Sequence, residues 1–235
     1  MKIISFFSQK GGCGKTTLAI ITASSLAYIR KKKVLVIDGD FQGSFKKKHE
    51  REMKKIEEYK ERMQSHGQRP YEVLQVMPKD IPATIKRVEG EYDYLVIDLP
   101  GNIYDQNVMK SLIYCNYVIV PLEHDPQALS SSIESTMAVT KKLHSRVMEG
   151  SRIEKVVGVF NRIPFSQTSS LSKLGALIKY AQFDVIMHNI IGRVDKMGDD
   201  RVCTLLPPEN LTRSGFNMGG FLEELFSDRV LSVED

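Results

Sequence analysis

A chain of 235 residues, 42% hydrophobic and 26% charged, holds enough apolar material for one substantial soluble α/β domain. No apolar run reaches the roughly eighteen residues of a membrane-spanning helix. The formal net charge of +4 and the pI near 8.8 permit contact with nucleic acid or another anionic surface without requiring it.

The first residues, one lysine and a short apolar run, lack the apolar region and cleavage site of a secretory signal, so a cytoplasmic location is expected. Cys13, Cys115 and Cys203 lie far apart with no C-x-x-C pair, which suits a reducing compartment and offers no metal or disulfide framework. His49, His66, His124, His144 and His188 show no metal-ligand spacing and read as structural or solvated.

Short apolar runs alternate with helical stretches along the chain, the pattern of βαβ units and a parallel sheet. Ile3 to Phe7 is an apolar strand, Gln9 to Thr17 a glycine-rich turn, and Leu18 to Ala23 the body of a helix running from about Thr16 to Arg30. Strand, glycine loop and helix in that order form a phosphate-binding loop. Successive N–H groups converge on one concavity, and the helix N-terminus adds its positive dipole end. Lys15 is placed to reach the β- and γ-phosphates, and the Thr16 hydroxyl to ligate Mg²⁺. Gln9 stands where the usual G-x-x-x-x-G-K-[ST] pattern has its first glycine, and a second lysine, Lys10, precedes Gly11 and Gly12.

Val34 to Ile37 is the next buried strand, followed by Asp38-Gly39-Asp40-Phe41-Gln42-Gly43-Ser44. Acidic residues at the carboxyl end of a parallel strand sit where such sheets place ligands. From Phe45 to about His66 the chain is dense in Lys, Arg and Glu, with Met53, Ile56, Tyr59 and Met63 as a narrow apolar stripe, which predicts a solvated helix along one edge. Tyr71 to Val76 is a weak strand and Ile81 to Glu89 a short helix. Tyr92 to Ile97 is a strand running into Asp98-Leu99-Pro100-Gly101, a Walker B pattern whose carboxylate would hold Mg²⁺ and whose turn would sense the γ-phosphate. Further strands are expected at Tyr117 to Pro121, Ile153 to Phe160 and Phe183 to Ile186, and helices at about Pro126 to Met148, Gln167 to Tyr180 and Phe216 to Ser227. Residues 187–213 read as irregular and basic. With no linker, repeat or change of composition, residues 1–235 are expected to form one domain.

Taken together, Lys10 to Thr17, Asp38 to Gly43 and Asp98 to Gly101 resemble the ParA/MinD family of deviant-Walker-A P-loop ATPases, over most of the chain. The length is similar to that of the short ParA proteins of plasmid partition. The resemblance implies a doubly wound, mostly parallel twisted sheet flanked by helices, with ATP and Mg²⁺ as cofactors. It makes Lys10 the signature lysine that reaches a dimer partner's phosphates, Lys15 the Walker lysine and Thr16 the magnesium ligand. Gly11, Gly12, Cys13, Gly14 and Thr17 then complete the nucleotide-binding loop, Thr17 near the α-phosphate. Asp40 corresponds to the aspartate that positions the attacking water, and Asp98 to the Walker B residue. Asp38 either lies beside the metal or caps the next segment. Asn161 either reads the adenine edge, with Pro207 lining the same pocket, or forms a turn. Phe41 departs from the proline of many relatives.

By the same resemblance the expected function is DNA segregation. ATP binding drives a homodimer that coats nucleoid DNA nonspecifically, and a centromere-binding, ParB-like adaptor stimulates hydrolysis and release. Arg193 and Arg213 are the candidate DNA contacts, since nonspecific binding requires a basic surface. The alternative is a MinD-like switch for membrane or protein-cluster cargo. The acidic end of the chain, Glu223, Glu224, Asp228, Glu234 and Asp235, argues against anionic lipid. A third reading, a metal-cluster ATPase of the iron-protein type, needs paired cysteines bridging a dimer, and Cys115 and Cys203 do not sit where that branch places them.

Overall fold

Strands buried on both faces read as unbroken runs of Val, Ile and Leu, and four such runs build the centre of this protein. The computed structural model describes residues 1–57, 69–102, 104–123, 137, 140–141, 150–163, 183–188, 202–206 and 217–233. The strands are β1 (Lys2–Phe6), β2 (Val34–Asp38), β3 (Glu72–Gln75), β4 (Tyr94–Asp98), β5 (Tyr117–Leu122), β6 (Lys155–Phe160) and β7 (Val185–Ile186). They form one sheet in the order β3-β2-β4-β1-β5-β6-β7, parallel throughout.

Alternate residues of each strand feed two separate cores. Ile4, Phe6, Val34, Val36, Val96, Ile119 and Val157 face α1 (Lys15–Ser24), Phe45 of α2 (Ser44–Met53) and the closing helix α5 (Met218–Phe226). Ile3, Leu35, Ile37, Leu95, Ile97, Val118 and Val156 face α3 (Ile81–Arg87) and α4 (Gln106–Leu112). The sheet is therefore covered on both sides, as a doubly wound fold requires. Met218, Phe221, Leu225 and Phe226 of α5 are buried in the first core, so the apolar face of this helix is already occupied.

Three elements differ from the sequence-based expectation. The helix begun at Lys15 does continue to Ile29, but from Ser25 it widens into a π-turn, with Arg30 N–H bonded to the Ser25 carbonyl at 3.0 Å. Helix α4 was not expected. It is short, and its start is marked only by Asp105, whose carboxylate accepts the Asn107 N–H at 2.7 Å. Helix α2 ends at Met53 and buries Phe45, His49 and Glu52; of the expected stripe, Met53 is exposed and Ile56 packs against Leu205 and Leu206. Tyr59 and Met63 lie outside the described residues, as do most of the helices expected at 126–148 and 167–180.

The polar face of α2 is buried because residues 202–206 give it partners. The Glu52 carboxylate accepts both the N–H of Thr204, at 2.8 Å, and its hydroxyl, at 2.5 Å, and Lys48 pairs with Glu52 at 2.9 Å. His49 Nδ1 meets the Thr204 hydroxyl at 2.9 Å, and the Tyr28 hydroxyl donates to the Thr204 carbonyl at 2.9 Å. Buried polar groups left without partners are costly. Thr204→Val, which deletes one hydroxyl from this network, is therefore expected to destabilise the protein by about 2 kcal/mol in urea unfolding. A loss under about 0.5 kcal/mol would mean that the network does not fix α2.

Candidate nucleotide-binding site

The carboxyl ends of β1, β2, β4, β5 and β6 lie along one edge of the sheet, and every candidate residue with a described position sits there or at the start of α1. The loop after central β1 is forced into shape by glycine: Gly12 and Gly14 have φ of 75° and 94°, in the left-handed region. The Gly14 carbonyl accepts the Leu18 N–H at 2.9 Å and so begins α1, whose N-terminus opens on the cleft.

Asn161 and Arg162, just past β6, hold the loop from the side. Asn161 Nδ2 donates to the Cys13 carbonyl at 2.7 Å, and the Arg162 guanidinium donates to the Gly12 carbonyl. A Cβ on Gly14 would lie 2.5 Å from Asn161 Nδ2. The turn after β4 packs as closely, since a Cβ on Gly101 would lie 2.5 Å from the Ser8 carbonyl oxygen. Between these walls is a cleft of about 410 Å³, lined among others by Gly11, Gly14, Lys15, Thr16, Thr17, Asp40 and Asp98. Lys15 Nζ donates to the Lys10 carbonyl at 3.2 Å.

Parallel pairing of β2 with β4 sets Asp38 opposite Asp98. Asp98 is 2% exposed; Oδ2 accepts the Thr16 hydroxyl at 2.6 Å, and buried Oδ1 has no hydrogen-bond partner among the described residues. Burial pushes its pKa up to about 7, the Thr16 hydrogen bond and Lys15 draw it down, and Asp38 and Asp40 push it higher. An unpartnered buried carboxylate oxygen beside a threonine hydroxyl suits a hard divalent cation, so Thr16 and Asp98 fit Mg²⁺. Among the described residues no group of three or more His, Cys, Asp or Glu side chains could hold a metal ion.

Asp38 is placed differently. It is fully buried, it is not among the residues lining the cleft, and its two oxygens accept the N–H groups of Asp40, at 3.1 Å, and Lys46, at 2.9 Å. These bonds make it the bracket of the turn and of the start of α2. Burial raises its pKa first, and the two N–H bonds counter part of that. Asp40 lines the cleft, with Oδ1 accepting the Gln42 N–H at 2.9 Å, and Gln75 Nε2 supports the turn through the carbonyls of Asp40 and Phe41 at 3.3 and 3.4 Å.

Lys10 points elsewhere: its ammonium pairs with Glu123, the residue after β5. Asn161 is buried against the loop. Cys13 and Cys115 are buried, and burial pushes the Cys115 thiol up. His49 is buried, and His188 is exposed beside Glu224. Pro207, Arg193 and Arg213 lie outside the described residues. The sequence reading gave no role to Glu123, Arg162 or Gln75. Glu123 and Arg162 stand one and two residues past a strand's carboxyl end, the signal that had singled out Asp38 and Asp98.

A family model described as the CobQ/CobB/MinD/ParA nucleotide binding domain matches residues 4–197, most of the chain. The chain belongs to that family. This ParA/MinD-type domain is 26% identical over 153 residues to the virulence plasmid ParA family protein pGP5-D of Chlamydia psittaci, covering 54% of this chain and 58% of that protein. The match thus spans little more than half of that relative's length. Among solved structures, a plasmid partition protein from Borrelia burgdorferi superposes with a TM-score of 0.58 at 20% identity, covering 87% of this chain and 95% of that one. A pNOB8 ParA bound to nonspecific DNA superposes with a TM-score of 0.57 at 18% identity, covering 86% and 84%. At these identities the superpositions establish a shared fold. The all-parallel, doubly covered sheet is the fold of this family, whose members are P-loop ATPases.

Proposed function

We propose that the protein is a DNA-partition ATPase, an ATP- and Mg²⁺-dependent switch that dimerises on nucleotide, binds DNA nonspecifically, and is released by partner-stimulated hydrolysis. The observation that carries the nucleotide chemistry is the pair Thr16–Asp98 with its unpartnered buried oxygen, set in a glycine cradle beside Lys15 and Asp40.

Phosphoryl transfer depends on placement and charge neutralisation more than on covalent chemistry. The N–H groups from Gly11 to Thr17 surround the phosphates, and Lys15 exchanges its bond to the Lys10 carbonyl for the β- and γ-oxygens. Thr16 and Asp98 would hold Mg²⁺, which would supply charge neutralisation for the triphosphate. Asp40 orients the attacking water, held in its turn by Gln42, Gln75 and Asp38. Asn161 and Pro207 are assigned to the adenine side. Asp38 acts by bracketing, although its nearby carboxylate still adds negative charge beside Asp98.

Dimerisation across the cleft is supported by two exposed aromatics in the loops following neighbouring strands β2 and β4: Phe41 is 81% exposed and Tyr104 85%. DNA as the cargo is supported by the relatives, two of them plasmid proteins and one bound to nonspecific DNA. Arg193 and Arg213 are the proposed contacts, and a ParB-like adaptor the stimulating partner.

The test is binding of random-sequence duplex DNA with ATP or ADP. Association that requires ATP and weakens at least tenfold between about 50 and 200 mM salt is expected. Binding indifferent to both nucleotide and salt would rule the DNA role out. Alongside it, Lys10→Ala is expected to retain ATP binding and lose at least tenfold in DNA- and partner-stimulated hydrolysis, whereas unchanged stimulation would remove the trans role of Lys10.

A further inference from the structure

Glu123 carries an arrangement that the nucleotide chemistry leaves unused. Its side chain is only 14% exposed, yet two cations share it: Lys10 Nζ on Oε2, and Arg162 Nη1 at 3.9 Å from Oε1. Strand pairing brings these groups together. Leu122 of β5 pairs with Phe160 of β6, and the Asn161 N–H donates to the Leu122 carbonyl at 2.9 Å, so the residues following both strands emerge side by side. Arg162 takes a left-handed φ of 61°, rare for a residue with a long side chain, and in that conformation its guanidinium reaches the Gly12 carbonyl as well as Glu123.

We propose that Glu123 is a positioning residue for Lys10: it holds the ammonium away from the nucleotide until assembly and so sets how much ATP dimerisation requires. The proposal rests on the reading of Lys10 as the lysine that acts across the dimer. Removing one partner from a half-buried ion pair normally strands the other charge without compensation. Here Arg162 is already beside the second oxygen, so Glu123 keeps a counter-ion when Lys10 departs. Lys10, with a side chain 39% exposed, has solvent to move through. The exchange of one cation for another makes release reversible, as a switch that cycles must be.

The test is ATP titration of dimerisation by the full chain, followed by sedimentation velocity, with nucleotide affinity measured separately. Glu123→Gln is expected to lower the ATP concentration for half-maximal dimerisation about tenfold and to raise unstimulated turnover several-fold. Glu123→Asp, which keeps the charge on a shorter arm, is expected to fall between wild type and Glu123→Gln, and it serves if the glutamine variant folds poorly. In the Lys10→Ala background Glu123→Gln is expected to change nothing. A wild-type ATP requirement in Glu123→Gln, or the same gain in the absence of Lys10, would overturn the proposal. Failure of the underlying reading gives a different signature: Lys10→Ala alone would then leave stimulated turnover intact.

Discussion

Asp98→Asn is expected to abolish ATP turnover and, at the same time, to stabilise the nucleotide-free protein. Asp98 sits 2% exposed with one oxygen unpartnered, and burial lifts its pKa from 3.8 to about 7. A group whose folded-state pKa is raised contributes stability that is present below its unfolded pKa and is lost as pH rises through the folded value. For Asp98 that loss runs between about pH 4 and pH 7. Above it, the folded chain carries a buried carboxylate that only a cation relieves.

Asparagine removes the charge and keeps an oxygen for the Thr16 hydroxyl, so at pH 8 the variant is expected to gain on the order of 2 kcal/mol. For a chain of this length that corresponds to a rise in Tm of about 5 °C. His49 works in the opposite sense, since burial depresses its pKa to about 4 and its contribution is lost as pH falls from 6.5. The deciding quantity is therefore the difference between variant and wild type, which should grow from pH 4 to pH 7 and then level off. Mg²⁺ with nucleotide should stabilise the wild type much more than the variant. A variant less stable than wild type at pH 8, with Mg²⁺ protection retained, would exclude Asp98 as the cation ligand.

Gly101→Ala is expected to be the most damaging single-methyl change in the site. A Cβ at that position would lie 2.5 Å from the Ser8 carbonyl oxygen and 3.0 Å from that of Gln9. Both are backbone atoms of the loop that leads out of β1, so no rotamer change relieves the contact. The turn after β4 must retreat from the glycine loop, and the 2.6 Å bond between Thr16 and Asp98 stretches with it. A loss of about 2–3 kcal/mol in unfolding free energy and at least a tenfold loss of nucleotide affinity are expected. Wild-type affinity in a folded variant would show that the two loops are not rigidly coupled. Gly14→Ala, by contrast, meets the end of a side chain, Asn161 Nδ2, and its penalty includes the left-handed φ of 94°.

Much of the fold was legible because its signals are local. The doubly buried strands β1, β2, β4 and β5 are near-continuous apolar runs, and β3 and β6 lie within one or two residues of the expected bounds. Helix α4 was missed because Asp105 is a modest start signal for a seven-residue helix. The buried face of α2 was missed because His49 and Glu52 look solvated until Thr204, more than 150 residues on, supplies their hydrogen bonds.

The same division runs through the site. Gln9 to Thr17 declares a phosphate loop by itself, since glycines at left-handed φ, a helix start and a reaching lysine are properties of consecutive residues. That Asp98 faces Thr16 across 82 positions, that Asp38 brackets rather than lines the cleft, and that Lys10 rests on Glu123 across 113 positions depend on which strands lie side by side. Backbone conformation and burial period are set by neighbours in sequence, so residue order alone carries them. The partners of a buried charge are set by strand pairing, because only the folded sheet decides which carboxylates lose water together and which cations remain to balance them.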